Sequence, residues 1–177
     1  SQSDHPLILD AGNLLSPFGV ARWAAARDPE GLAELIAGLG YRAIALGTLD
    51  LSAPREDLVT VLRALRDRGV PTIATNLRCE DPANPLCEVL IDGSDGVQLL
   101  RVAQARAAVV SLLSPARVRA VVPPDRLAGL RLVDPATALR NAVRRARLAV
   151  PVVVSTLDLR GAGDPTGEAL ALVRGMD

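Results

Sequence analysis

The chain has 177 residues and a formal net charge of zero, with 20 cationic side chains, all arginine, against 20 acidic ones. Neutrality without lysine removes the electrostatic footprint of a general nucleic-acid binder, and 2% aromatic residues leave no platform for stacking bases. The length suits one domain, and a core drawn from 49% hydrophobic residues must be built from Leu, Val, Ile and Ala, as in a parallel sheet flanked by helices.

In chain order, Leu7 to Leu9 reads as a short strand that stops at Asp10, and Ala-Gly-Asn follows as a turn ending at Asn13. Val20 to Arg27 reads as a helix with Trp23 packing inward. Asp28-Pro29 opens the next helix, an acceptor at the cap and proline at the first position. Leu32, Leu35, Ile36 and Leu39 follow at helical spacing, and Gly40 closes it. Ala43 to Leu46 is a strand that ends in a Gly-Thr-Leu-Asp turn, Gly47 to Asp50. Ser52 then caps a helix to Arg68 whose stripe is Leu58, Val61, Leu62 and Leu65. Val70 to Ala74 is a third strand, ending in the polar pair Thr75 and Asn76.

After this the grammar changes. Cys87 to Ile91, Val97 to Val102 and Ala107 to Leu113 read as strands joined by links so short that antiparallel hairpins follow. A second sheet or an antiparallel edge is expected. Pro115 to Ala120 is a helical turn, and Asp134-Pro135 opens a third capped helix with Leu139, Val143 and Ala146 inward. Its outward Arg140, Arg144, Arg145 and Arg147 read first as a solvated face, with a phosphate or an acidic partner as the alternative. Val150 to Val154 is a buried strand that stops at Ser155, Thr156 and Asp158, and Asp164-Pro165 opens a terminal helix to Arg174.

Cys79 and Cys87 flank a proline-rich loop that one disulfide could close, worth about 2–3 kcal/mol and implying an oxidising compartment. Two reduced thiols are the alternative. No apolar run approaches the roughly 20 residues that span a bilayer. The start at Ser1 without methionine fits a removed signal peptide, a trimmed chain or a segment of a longer polypeptide. In an open α/β sheet chemistry collects beyond the carboxyl ends of the strands, which puts Asp10, Asn13, Thr48, Asp50, Asn76, Thr156 and Asp158 together as a candidate cleft. Asp10, Asp50 and Asp158 could converge on a hard cation, but Asp10 and Asp158 have an ordinary alternative as turn and cap residues. His5 is the single histidine of the sequence. A serine or cysteine nucleophile therefore lacks its usual base.

Several stretches resemble one family in order and spacing. LILDAGNL (Leu7 to Leu14) is similar to the second motif of calcineurin-like metallophosphoesterases of the 5'-nucleotidase type, whose strand ends in Gly-Asp. LGYRAIALGTLD (Leu39 to Asp50) resembles their LGYDAxxxGNHE segment, and VPTIATNL (Val70 to Leu77) their VPxxSANL strand. Val109 to Pro115, Val152 to Leu159 and Leu172 to Asp177 resemble the strand after the hairpin, a strand carrying histidine, and the helix before the final Gly-His-x-His. The resemblance implies a layered α/β fold with parallel strands, flanking helices and an antiparallel hairpin region, forming one domain over 1–177 that stops before the Gly-His-x-His region.

In that family two metal ions activate water against a phosphate ester. Carried over position by position, the resemblance puts Asn13 where a bridging Asp is expected, Thr48 for an Asn ligand, Leu49 for a His, and Asp50 for a Glu; no His stands near Thr156 to Asp158. The expectation is a vestigial site with no catalytic residue, no metal and no cofactor. The protein then reads as a pseudoenzyme, a structural or interaction subunit of a larger extracytoplasmic assembly, covered by a protein partner or by further segments of the same polypeptide. Two alternatives stand: a phosphoesterase or 5'-nucleotidase completed from outside the chain, and a small-molecule module using Thr48, Asn76 and Thr156 as hydrogen-bond donors.

Overall fold

The computed structural model describes residues 6–90, 96–102, 105–147 and 152–158. Its elements are β1 (Ile8–Asp10), α1 (Val20–Ala25), α2 (Pro29–Gly38), β2 (Tyr41–Ala45), α3 (Thr48–Leu51), α4 (Arg55–Asp67), β3 (Thr72–Ile73), β4 (Leu77–Cys79), α5 (Pro85–Val89), β5 (Gln98–Val102), β6 (Ala105–Leu113), α6 (Pro115–Val121), β7 (Leu130–Leu132), α7 (Pro135–Arg147) and β8 (Val152–Asp158). Strands β1, β2 and β3 pair in parallel. A second sheet has β6 at its centre, antiparallel to β5 and parallel to β8.

Strand alternation decides the layers. Ala43 of β2 turns to one face and joins Ile73, Leu100 and Val109 in a cluster between the two sheets, with Leu7 and Leu9 against it. Its neighbour Ile44 turns to the other face and meets Ile36, Leu58, Leu62 and Leu65 of α2 and α4. On β6, Val110 and Leu112 face Ala138, Leu139, Ala142 and Val143 of α7. Helices, sheet, sheet and helix are thus stacked in order, the layered α/β arrangement expected from sequence. Each large aliphatic side chain buried in these seams contributes about 1.5–3 kcal/mol.

Caps explain where the longer helices begin. The Asp28 carboxylate accepts from the Gly31 N–H at 2.9 Å, and the Asp134 carboxylate from the Thr137 N–H at 2.8 Å. Ser52 does not cap α4. It ends α3, its hydroxyl bonded to the Leu49 carbonyl, and α4 starts three residues later behind Pro54. The expected turn over Gly47 to Asp50 is instead the start of the one-turn helix α3.

Four further expectations are corrected. Trp23 does not pack inward: it is 59% exposed, with the Arg27 guanidinium 4.8 Å from its ring centre. Leu35 and Leu39 are exposed as well, because the buried face of α2 centres on Leu32, Ala33 and Ile36. The strand expected over Cys87 to Ile91 is helix α5, since Asn84 caps the Leu86 N–H at 3.0 Å with Pro85 at the first position; Leu90 alone makes a bridge, to Thr72. Strand β8 runs through Ser155, Thr156 and Asp158 rather than stopping before them, held by parallel pairing of all seven residues with β6. The ribbon of β4 with β7 had no clear alternating signal in the sequence. The terminal helix expected from Asp164 lies outside the described residues.

Candidate functional site at the strand ends

Strand β1 ends at Asp10, whose carboxylate accepts from the Gly12 N–H at 2.8 Å and starts a turn. The chain then reverses through left-handed backbone at Gly12 (φ 103°) and Asn13 (φ 68°). A Cβ at Gly12 would stand 3.0 Å from the Cα of Gly47, and one at Gly47 would overlap the backbone nitrogen and side-chain amide of Asn13. Two glycines therefore let the β1 and β2 end loops touch backbone to backbone.

The side chains of these loops bind each other's backbone. The Asn13 side-chain carbonyl accepts from the Leu49 N–H at 2.8 Å, which satisfies an open donor at the start of α3. In return, Asp50 accepts from the Asn13 and Gly47 N–H groups through one oxygen, each at 2.8 Å, and from the Leu15 N–H through the other at 2.6 Å. Asp50 is 2% exposed. Burial pushes its carboxyl up to about 6; the N–H groups of Leu15, Gly47 and Asn13 pull the other way, and the nearby charge of Asp10 adds to the rise. Asp10 is raised too, chiefly by its own burial, with the Gly12 bond opposing it.

Four of the seven candidate residues thus meet: Asp10, Asn13, Thr48 and Asp50, with Thr48 fully buried in the first turn of α3. Asn76 does another job. Its amide nitrogen donates to the carbonyls of Leu113 (2.9 Å) and Val133 (3.1 Å), and its oxygen accepts from the Leu113 N–H (2.8 Å). The preceding Thr75 works beside it, its hydroxyl accepting from the Ser111 N–H and donating to the Gly96 carbonyl, both at 2.8 Å. Together they clip the end of β3 to β6, a role the sequence signalled only as a polar pair after a strand. Thr156 and Asp158 stand in register with Ser111 and Leu113 on β8; their side chains, like His5, fall outside the described residues. Cys79 and Cys87 form the disulfide, Cα atoms 5.8 Å apart, tying the end of β4 to α5.

Among the described residues no group of three or more His, Cys, Asp or Glu side chains is placed to hold a metal ion. The side-chain oxygens of Asn13 and Asp50 are committed to amide hydrogens instead. As arranged, these donors do not fit a pair of metal ions, which need carboxylate or imidazole lone pairs turned outward. An open groove of about 600 Å³ is lined by Pro54, Arg55, Asp57, Thr60, Arg63 and Arg126, among others, and, among the described side chains, by none of the candidates Asp10, Asn13, Thr48, Asp50 and Asn76.

No family profile matches the sequence, and no curated protein matches it. Solved structures do. A protein of Staphylococcus aureus assigned as a 5'-nucleotidase, with alpha-ketoglutarate bound, superposes with a TM-score of 0.72 at 16% identity, over 98% of this chain and 34% of that one. The 5'-nucleotidase precursor of Thermus thermophilus gives 0.68 at 22% identity, over 98% and 31%. The NAD nucleotidase of Haemophilus influenzae gives 0.65 at 16%, over 94% and 27%. The fold is that of the 5'-nucleotidase type of calcineurin-like metallophosphoesterases. The chain spans about a third of the length of these neighbours. Within the metallophosphoesterase fold, the Gly12-Asn13 loop and the start of α3 are the strand ends to which the sequence resemblance assigns metal-bearing motifs. Among the described residues no helix is long and apolar enough to cross a membrane.

Proposed function

We propose that this is a non-catalytic metallophosphoesterase-like domain, a structural or interaction subunit of a larger extracytoplasmic assembly. The observation that carries this reading is the mutual bonding of Asn13 and Asp50 to the backbone of each other's loops. Here the Asp50 and Asn13 oxygens are turned toward backbone amide hydrogens of the neighbouring loop, the service a metal ion would otherwise require of them. On this reading Asp10, Asn13, Thr48, Asp50, Asn76, Thr156 and Asp158 are remnants of a site, and 1–177 is one domain. Its partner is another protein or further segments of the same polypeptide. The Cys79–Cys87 disulfide and the precursor form of the Thermus thermophilus neighbour support an oxidising, extracytoplasmic location.

A second reading is a metal-dependent phosphoesterase or 5'-nucleotidase completed by segments outside this chain. It is favoured by the coverage, since two thirds of each matched structure has no counterpart here. The small-molecule alternative is weaker, because Thr48 and Asn76 are fully buried and the Asn76 amide is bonded on both its atoms. Turnover separates the readings. Purified protein incubated with manganese, zinc or magnesium should hydrolyse neither a generic phosphodiester nor a nucleoside monophosphate above the no-enzyme rate, and metal-dependent hydrolysis would transfer the conclusion to the second reading.

A further inference from the structure

The chain has one phenylalanine and one tryptophan, and the core uses neither. Phe18 is 96% exposed, Val20 80% and Trp23 59%, the last even with the Arg27 guanidinium against its ring. They are neighbours. Val20 and Trp23 stand about one turn apart on the same side of α1, and Phe18 lies within about 7 Å of Val20 along the chain. The loop that carries Phe18 is held from the strand ends. Asp50 accepts from the N–H groups of Asn13 and of buried Leu15. The Asn13 carbonyl then accepts from the Ser16 N–H at 3.2 Å, and the Ser16 carbonyl from the Gly19 N–H at 3.0 Å. Phe18 thus sits on a turn fixed at both ends, by the Asp50-bound backbone on one side and by the start of α1 on the other.

The surface these side chains leave open does not stabilise the fold, since it is not removed from water. Its size fits an interface. Taking about 150–250 Å² for an aromatic side chain and somewhat less for valine, the three expose roughly 350–500 Å² of apolar area. A stable pair needs about 800 Å² per partner, of which about 56–65% is apolar, or roughly 450–520 Å². The patch supplies most of that apolar core. We infer that Phe18, Val20 and Trp23 form the centre of a two-fold interface with a second copy of this chain.

Charge selects that occupant. The chain is neutral, so two copies meet without net repulsion. Arg22 stands in α1, which has no acidic residue, and Glu34 stands in α2, which packs against α1 and has no cation. Glu30 of α2 is taken by Arg68, but Arg22 and Glu34 have no ionic partner among the described residues. A two-fold axis through the patch reverses the order of α1 and α2 in the second copy, so that the cationic helix of one can face the anionic helix of the other. A membrane surface is disfavoured. Residues 16–39 hold two arginines against three acidic groups, a net charge of −1, which gives anionic headgroups no attraction to add to the apolar contact.

This rests on the interaction role proposed above and names its partner. Metal binding and turnover test the inert strand ends, while self-association tests this face, so each can fail alone. The experiment is sedimentation velocity of the full chain, in which wild type should pass from monomer to dimer between about 1 and about 300 µM. Phe18→Ser with Trp23→Ser should raise the dissociation constant about a hundredfold or more. Leu99→Ser, on β5 in the other sheet and 44% exposed, should leave it unchanged. Should the pair fail to fold, Phe18→Ser alone, at a position 96% exposed, should still weaken the dimer about tenfold. A monomer at every concentration would overturn the inference. So would a dimer that the pair leaves intact or that Leu99→Ser weakens equally, or a monomer that binds phosphatidylglycerol vesicles through Phe18 and Trp23.

Discussion

Replacing Asp50 by alanine should destabilise the fold heavily. The substitution removes the acceptor of three backbone N–H groups, those of Asn13, Gly47 and Leu15, at a position that is 2% exposed. A buried donor left unsatisfied costs about 1–3 kcal/mol, so even the lower bound summed over the three gives about 3 kcal/mol. For a chain of this size that lowers the melting temperature by about 6–12 °C. Asp50→Asn should cost less, about 1–3 kcal/mol, because the amide oxygen can keep the two bonds of one carboxylate oxygen while its NH2 faces the Leu15 N–H. Calorimetric or circular-dichroism melts of the two variants beside wild type, each with and without a chelator, provide the test. A melting temperature for Asp50→Ala within about 2 °C of wild type would refute the loop-tying role. So would a large drop of the wild type on chelation, because Asp50 would then be holding a metal rather than amides.

The same carboxylate gives a pH signature. Its folded pKa of about 6 lies above the ordinary 3.8, so the folded state binds the proton more tightly; the stability this contributes is full below about 4 and lost as pH rises through about 6. Asp50→Asn should therefore lose up to about 3 kcal/mol more, relative to wild type, at pH 4 than at pH 7, read from urea unfolding at the two pH values. Gly47→Ala should destabilise by about 2 kcal/mol or more in the same assay, since its methyl would overlap Asn13; an unchanged midpoint would mean the two loops are looser than described. Asn76→Ala, which removes both sides of the clip to Leu113 and Val133, should cost about 2–4 kcal/mol, and hydrogen exchange should rise at the Leu113 amide first. Reducing the Cys79–Cys87 bridge should lower stability by about 2–3 kcal/mol in reversible unfolding.

Where an element had both a periodic stripe and a cap, the sequence revealed it. Helices α2 and α7 announced themselves through Asp28-Pro29 and Asp134-Pro135, and α4 through its stripe from Leu58 to Leu65. The β5–β6 hairpin followed from the shortness of its link. The misses have physical causes. At α5 the capped start Asn84-Pro85 competed with an apolar, β-branched tail, and the cap won. Strands β4 and β7 are three residues each and draw their stability from one another across 51 residues, which no local pattern encodes. Leu35 and Leu39 had helical spacing but sit on the wrong side of the stripe, and Trp23 stacks with Arg27 instead of entering the core.

The candidate site was legible as positions and not as bonds. Strand-end placement put Asp10, Asn13 and Asp50 side by side, at the ends of β1 and β2 where the structure has them. That Asp50 turns back onto the Asn13 loop depends on Gly12 and Gly47 allowing the two backbones to touch, a contact between residues 35 apart. Asn76 likewise looked like a cleft residue and is a staple between strands, because its partners at Leu113 and Val133 are remote in sequence.

Metal occupancy of the protein tests the central claim most directly. Purified protein equilibrated with manganese and zinc, passed through a desalting column and analysed by inductively coupled plasma mass spectrometry, should carry far less than one ion per chain. Its melting temperature should not move with metal or chelator. One or two tightly held ions per chain, lost together with stability when Asp50 or Asp10 is replaced, would contradict the account and return these strand ends to the working metallophosphoesterases.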